Sequence, residues 1–155
     1  MGKDSFHFRV VCLLVLALYV MTACGSPSGG GGGAFAMDVN AFGETVYQSL
    51  TFRDQLEELP PAVVCTLLGI DGDAVLEQKN YFSSGATAEE FIVFHAASSE
   101  AFRAIKAAVE TRITDQMDIY ASYAPEEVSY LKGAVLAEKG EYLVYCVSAD
   151  SDAAK

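Results

Sequence analysis

The chain has 155 residues and carries 10 basic against 21 acidic side chains, a formal net charge of −11. That length holds one small folded domain rather than two, and a surface of this sign argues against binding nucleic acid or lying flat on an anionic bilayer. The 4 cysteines are scattered and do not make a disulfide framework.

The first element is a leader. Lys3 and Arg9 outweigh Asp4 ahead of an uncharged apolar core from Val10 to Val20. This core is too short for a transmembrane helix, which needs about 20 apolar residues, and it fits the roughly 7–15 of a secretory signal. Met21, Thr22 and Ala23 then precede Cys24, with glycine and serine directly after it. That arrangement resembles a bacterial lipobox, with Met21 where the pattern prefers leucine. The resemblance implies cleavage between Ala23 and Cys24, removing residues 1–23, and a diacylglyceryl group on the Cys24 thiol. Two acyl chains anchor a protein stably where one binds only reversibly, each buried methylene being worth about 0.8 kcal/mol. The expectation is an extracytoplasmic protein, lipid-anchored to the cell membrane. A freely secreted protein cut near Ala23 and an uncleaved anchor are the competing readings.

Residues 24–37 follow as a tether, with an unbroken run of glycine from Gly29 to Gly33. Gly-rich coil of this length spans about 20 Å and builds no core. The folded domain is expected over 38–150, with a frayed tail over 151–155. Asp38 caps a helix over 38–51 whose Val39, Phe42, Val46 and Leu50 share one face, although Gly43 weakens its middle. The polar stretch 51–59 reads as a connection. Pro61 to Leu68, closed by Gly69, has proline at a helix start and glycine past its end. Val63, Val64 and Cys65 suit a buried strand equally well.

Asp71-Gly72-Asp73 lacks the further oxygen ligands of a calcium loop and reads as a plain turn. Residues 74–82 form an edge strand, and Ser83-Ser84-Gly85 turns the chain. Thr87-Ala88-Glu89-Glu90 has capping-box spacing, but the apolar run Phe91 to Phe94 favours a buried strand from Glu90 to Ala96. His95, near its end, reads as a surface or packed residue, because general-base chemistry needs a partner that the sequence does not nominate.

The longest helix runs from about Ser99 to about Ala121, with Phe102, Ile105, Val109, Ile113 and Tyr120 on one face. Arg112 and Gln116 share another face, where a solvated flank is expected and pairing with nearby groups is the alternative. Pro125 starts a second short helix with Glu126 and Glu127 in its first turn, Lys132 in its last and Gly133 beyond. Residues 134–138 and 141–148 make a hairpin around Lys139-Gly140. Both alternating sets of Tyr142 to Val147 are apolar, which makes that strand central and Cys146 a buried small hydrophobe. A disulfide between Cys65 and Cys146 stays open as an alternative.

The succession Ser84-Gly85-Ala86-Thr87-Ala88-Glu89-Glu90, then Arg112 and Gln116, then Tyr123-Ala124-Pro125-Glu126-Glu127, then Lys139-Gly140-Glu141-Tyr142, resembles an uncharacterised bacterial lipoprotein family, domain of unknown function 4358. The resemblance covers nearly all of the chain after the tether, and the order and spacing of the motifs carry it. It implies an envelope lipoprotein with no established activity or cofactor.

The fold expected is α+β: an antiparallel sheet of about four strands in two hairpins joined by a helical crossover, covered on one face by the long helix, with additional short helices. No catalytic residue, cofactor or metal ligand is nominated. The favoured function is a non-enzymatic, membrane-tethered domain that binds an envelope protein or small ligand. Its surface candidates, Tyr123, Pro125 and Glu126, stand at the helix junction, where Tyr120 and Tyr130 also cluster. The competitor is an envelope enzyme or thiol-redox protein using Cys65, Cys146 or His95.

Overall fold

Strands that are apolar at nearly every position must be covered on both faces, and two such strands fix this architecture. The computed structural model describes residues 36–149. The leader, the cleavage site at Ala23, Cys24 and the tail over 151–155 lie outside the described residues. Strands β1 (Val75–Phe82), β2 (Glu90–Ala96), β3 (Val135–Lys139) and β4 (Tyr142–Val147) form one antiparallel sheet in the order β1-β2-β4-β3. Strand β2, apolar except at Glu90 and His95, and the apolar β4 are the central pair. Helices α1 (Val39–Ser49), α2 (Pro61–Leu68), α3 (Ser99–Tyr123) and α4 (Glu127–Lys132) complete the fold. The expected α+β arrangement of two hairpins with a helical crossover is present.

Alternation along the central strands sorts the core into two clusters. Ile92, Phe94, Leu143, Tyr145 and Val147 face Val64 and Leu68 of α2, Ile105, Val109 and Tyr120 of α3, and Leu131 of α4. Phe91, Val93, Tyr142 and Cys146 point the other way, to Val39, Phe42 and Val46 of α1. Fully burying each large apolar side chain contributes about 1.5–3 kcal/mol, so both helical layers are needed to cover the sheet. The helix α1 therefore covers the face opposite the long helix.

Local signals act as expected at most ends. The Asp38 carboxylate accepts from the Ala41 amide at 2.9 Å, and the Ser98 hydroxyl accepts from the Ala101 amide at 3.1 Å. Each such cap is worth about 1 kcal/mol. Gly69 closes α2 in the left-handed conformation at φ 66°. The long helix passes its expected end near Ala121 and stops at Tyr123. Pro125 restricts only the residue before it, Ala124, whose φ of −144° and ψ of 67° leave the helical region.

The second hairpin is shifted by one residue from its expected position. Lys139 pairs with Tyr142, so Gly140-Glu141 forms the loop, and Gly140 alone takes positive φ, 60°. Glycine first with positive φ is the chemistry of a type II′ turn, which matches strand twist. The Lys139-Gly140 turn expected from sequence is thus replaced by Gly140-Glu141.

Gly43 also has a positive role that helix propensity hides. It is buried against β1, and a Cβ placed there would lie 2.8 Å from both Cβ and Cγ of Lys79. Gly43→Ala in an open helix would gain about 1 kcal/mol. Here it should lose stability by about 1–3 kcal/mol through overpacking, read as a lower urea midpoint with unchanged slope. A raised midpoint would contradict the close packing of α1 on β1.

Candidate functional site

The site is assembled at the Glu90 end of β2, where three carboxylates are buried. Glu89, Glu90 and Glu127 are 0%, 6% and 3% exposed. A charge so placed must be paired and hydrogen-bonded. The connection between α1 and α2 supplies the first partners. The amides of Arg53 and Asp54 donate to the Glu89 carboxylate at 2.9 and 3.0 Å, the Thr87 hydroxyl at 3.2 Å and the Ala149 amide at 3.3 Å. The Arg53 side chain then reaches α4, donating from both terminal nitrogens to Glu127 at 2.8 and 2.6 Å, while its guanidinium lies 4.1 Å from the centroid of the Tyr130 ring. Glu127 also accepts from the Ala88 amide at 2.9 Å. The Arg53 hydrogen bonds hold the Glu127 carboxyl below its ordinary pKa.

Glu57 bridges to Phe82 by paired backbone bonds of 2.8 Å, and Leu59 binds the buried Asn80 side chain at 2.8 and 3.0 Å. The stretch 51–59 is therefore a structured clip along the β1 edge, a correction to its reading as a plain connection. Its charges failed to stand out because a polar run of this composition is usually solvated.

Arg112 is a second correction. Its side chain is 11% exposed rather than solvated, and it donates to Glu90 from Nε at 2.8 Å and from Nη2. The pair ties the long helix to the first residue of β2. Burial pushes the Glu90 carboxyl above its ordinary pKa despite the opposing pull of Arg112. The adjacent Tyr145 hydroxyl is buried beside Glu90, and burial together with the Glu90 charge raises its pKa.

Above this pair lies a groove of about 320 Å³, within the range of small-ligand sites. Its floor is Glu90 and Arg112, its polar wall Ser83, Ser84 and Gly85, and its helical wall Gln116, Ile119 and Tyr123. Leu67 of α2 stands opposite. Asp54 shapes the polar wall from behind by accepting from the Ser83 and Ser84 hydroxyls at 2.7 and 3.0 Å, which lower its pKa. The Tyr120 hydroxyl donates to the Thr87 carbonyl at 2.6 Å and closes the base.

Exposed apolar side chains gather at the same place. Leu67 on α2, and Ile119 and Tyr123 on α3, line the groove and are 47–59% exposed, and Val63, one turn before Leu67, is exposed just outside the lining. Each pair is spaced by four, which sets two short apolar stripes on facing helices.

The residues nominated from sequence are thus only partly brought together. Tyr123 lines the groove, whereas Pro125 and Glu126 are exposed at the helix junction outside its lining. Tyr120 is core, and Tyr130 is half-buried under Arg53. His95 is at the opposite end of β2, its ring stacked on Tyr142 with centroids 4.2 Å apart. Cys65 and Cys146 are both free and buried, and the sheet separates them. Burial pushes the Cys146 thiol up to about 11, which keeps it protonated and unreactive at neutral pH. Glu90, Arg112 and Gln116 entered the sequence motifs, but their meeting with Leu67 across the groove needed the fold.

The family model described as a domain of unknown function, DUF4358, matches residues 62–148. That span includes both helical walls of the groove and the Glu90–Arg112 floor. No curated protein and no solved structure matches the chain.

The Arg53–Glu127 pair makes a pH-dependent contribution with a defined sign. Because the folded carboxyl has the lower pKa, its stabilisation is present above the ordinary glutamate value of about 4.3 and is lost as pH falls through the folded value. Arg53→Met should cost about 2–3 kcal/mol at neutral pH, less than the roughly 3–5 kcal/mol of a fully buried broken pair because the arginine is partly exposed. The difference between wild type and variant, from urea unfolding across pH, should shrink below about pH 4.3. A difference independent of pH would contradict the assignment.

Proposed function

The chain belongs to the DUF4358 family, and from that premise we propose that it is a lipid-anchored extracytoplasmic binding domain whose binding surface is the groove over Glu90 and Arg112. The observation that carries the binding role is the concentration of exposed Leu67, Ile119 and Tyr123 around a concave site with a buried ion pair beneath it. Clustered apolar exposure of this kind marks interaction sites on soluble surfaces. The floor suits recognition rather than turnover: Arg112 is committed to Glu90, and His95 and both thiols lie elsewhere.

The anchoring role is supported by the leader, by Cys24 directly after Ala23, and by the glycine-rich residues that follow. The entry point of the domain is compatible with it. The Met37 amide donates to the Tyr142 hydroxyl at 3.2 Å on the α1 face, so the described chain begins on the side of the sheet opposite the groove.

The test is the mass of the mature amino terminus from native membranes. A peptide starting at Cys24 with a diacylglyceryl addition is expected, and Cys24→Ala should abolish lipid labelling and leave an uncleaved precursor. An unmodified Cys24 in a released protein would overturn the anchoring.

A further inference from the structure

Charge around the groove narrows what can occupy it. Arg112 is the one basic side chain lining the groove among the described residues, and its Nε and Nη2 donors are taken by Glu90. The surrounding surface is acidic. Asp115 and Asp118 are exposed on α3 outside the groove's lining, Glu126 is exposed just beyond the helix, and Asp54 stands behind Ser83 and Ser84. The chain as a whole carries −11. A second copy would bring the same charge, and so would an anionic membrane surface or an acidic peptide, each repelled on approach.

The apolar features have their own geometry. Leu67 on one side and Ile119 with Tyr123 on the other present exposed apolar surface to the groove, and Val63 continues the α2 stripe one turn beyond the lining, more apolar surface than a small polar molecule would cover. An amphipathic peptide fits this layout by placing apolar side chains between the stripes and cationic ones toward the acids outside. Tyr123, with its exposed ring, can bury against an aliphatic side chain or face a cation. The Glu90–Arg112 floor stays intact beneath it and supplies rigidity.

We propose that the groove binds a basic amphipathic peptide segment of a partner protein, held between the Leu67 and Ile119–Tyr123 walls and steered by the acidic surface around them. This rests on the groove being the binding surface, and does not depend on the lipid anchor.

The test uses the full chain in non-ionic detergent micelles and three labelled peptides of one length, followed by fluorescence anisotropy. One peptide alternates leucine and lysine at helical spacing, the second replaces lysine by glutamate, and the third keeps lysine but replaces leucine by serine. The leucine–lysine peptide should bind saturably, at least tenfold more tightly than either of the others, and should weaken as salt rises. Tyr123→Ser and Ile119→Ser, both at exposed positions, should each weaken it by about tenfold with an unchanged urea midpoint. Tighter binding of the glutamate peptide, lost in Tyr123→Ser, would overturn the basic partner while keeping the groove as a binding site. Equal binding of the two lysine peptides, or binding unaffected by both variants, would overturn the proposal and the groove together. A dimer without peptide, abolished by Tyr123→Ser, would assign the groove to a second copy and overturn it as well.

Discussion

The buried carboxylate of Glu89 is the constraint on which the rest of the structure depends. A glutamate with no exposure, at the start of the central strand, is tolerable only if nearby donors converge on it. They come from three separate parts of the chain: the amides of Arg53 and Asp54 in the clip, Thr87 beside it, and Ala149 after the last strand. Satisfying one carboxylate therefore fixes the clip, the β1–β2 connection and the end of β4 at one point. Arg53 extends the arrangement to Glu127 and so to α4. Ion pairs of this kind add little net stability over apolar packing, but breaking one is costly. Their effect is to specify which segments meet.

Glu90 turns the same end of β2 into a site. Successive strand residues face opposite sides, so Glu90 points to the long helix in line with Ile92 and Phe94, where it meets Arg112. That pair sets how the outer half of α3 lies over the strand end and makes the groove floor rigid. The apolar side chains left over, Leu67, Ile119 and Tyr123, stand exposed around it rather than in the core. Core packing, buried charge and exposed apolar surface are thus consequences of one crowded sheet end.

Much of this fold was legible from the chain alone. The caps at Asp38 and Ser98, Pro61 with Gly69, and the doubly apolar β4 each have a local cause and produced the expected element. The errors have a common origin in interactions distant in sequence. Gly43 looks like a weak helix position until Lys79 is brought against it from β1. Arg112 looks like a solvated flank until Glu90 arrives from another element. Arg53 lies in a run whose polarity reads as linker, and its partners are 36 and 74 residues away. Of the surface candidates, Tyr123 lines the groove because it continues the helical stripe of Arg112, Gln116 and Ile119. Pro125 and Glu126 fall after the helix ends and leave that stripe.

Native-state hydrogen exchange at the Arg53 and Asp54 amides tests this account most directly. Both lie in an irregular segment between helices, and amides in such segments ordinarily exchange by small local openings. If the Glu89 carboxylate holds them as described, they should exchange only at the free energy of global unfolding, alongside the core amides of β2 and β4. Exchange at the rate of an unprotected loop would show that the clip opens independently, and would contradict the claim that Glu89 organises this end of the sheet.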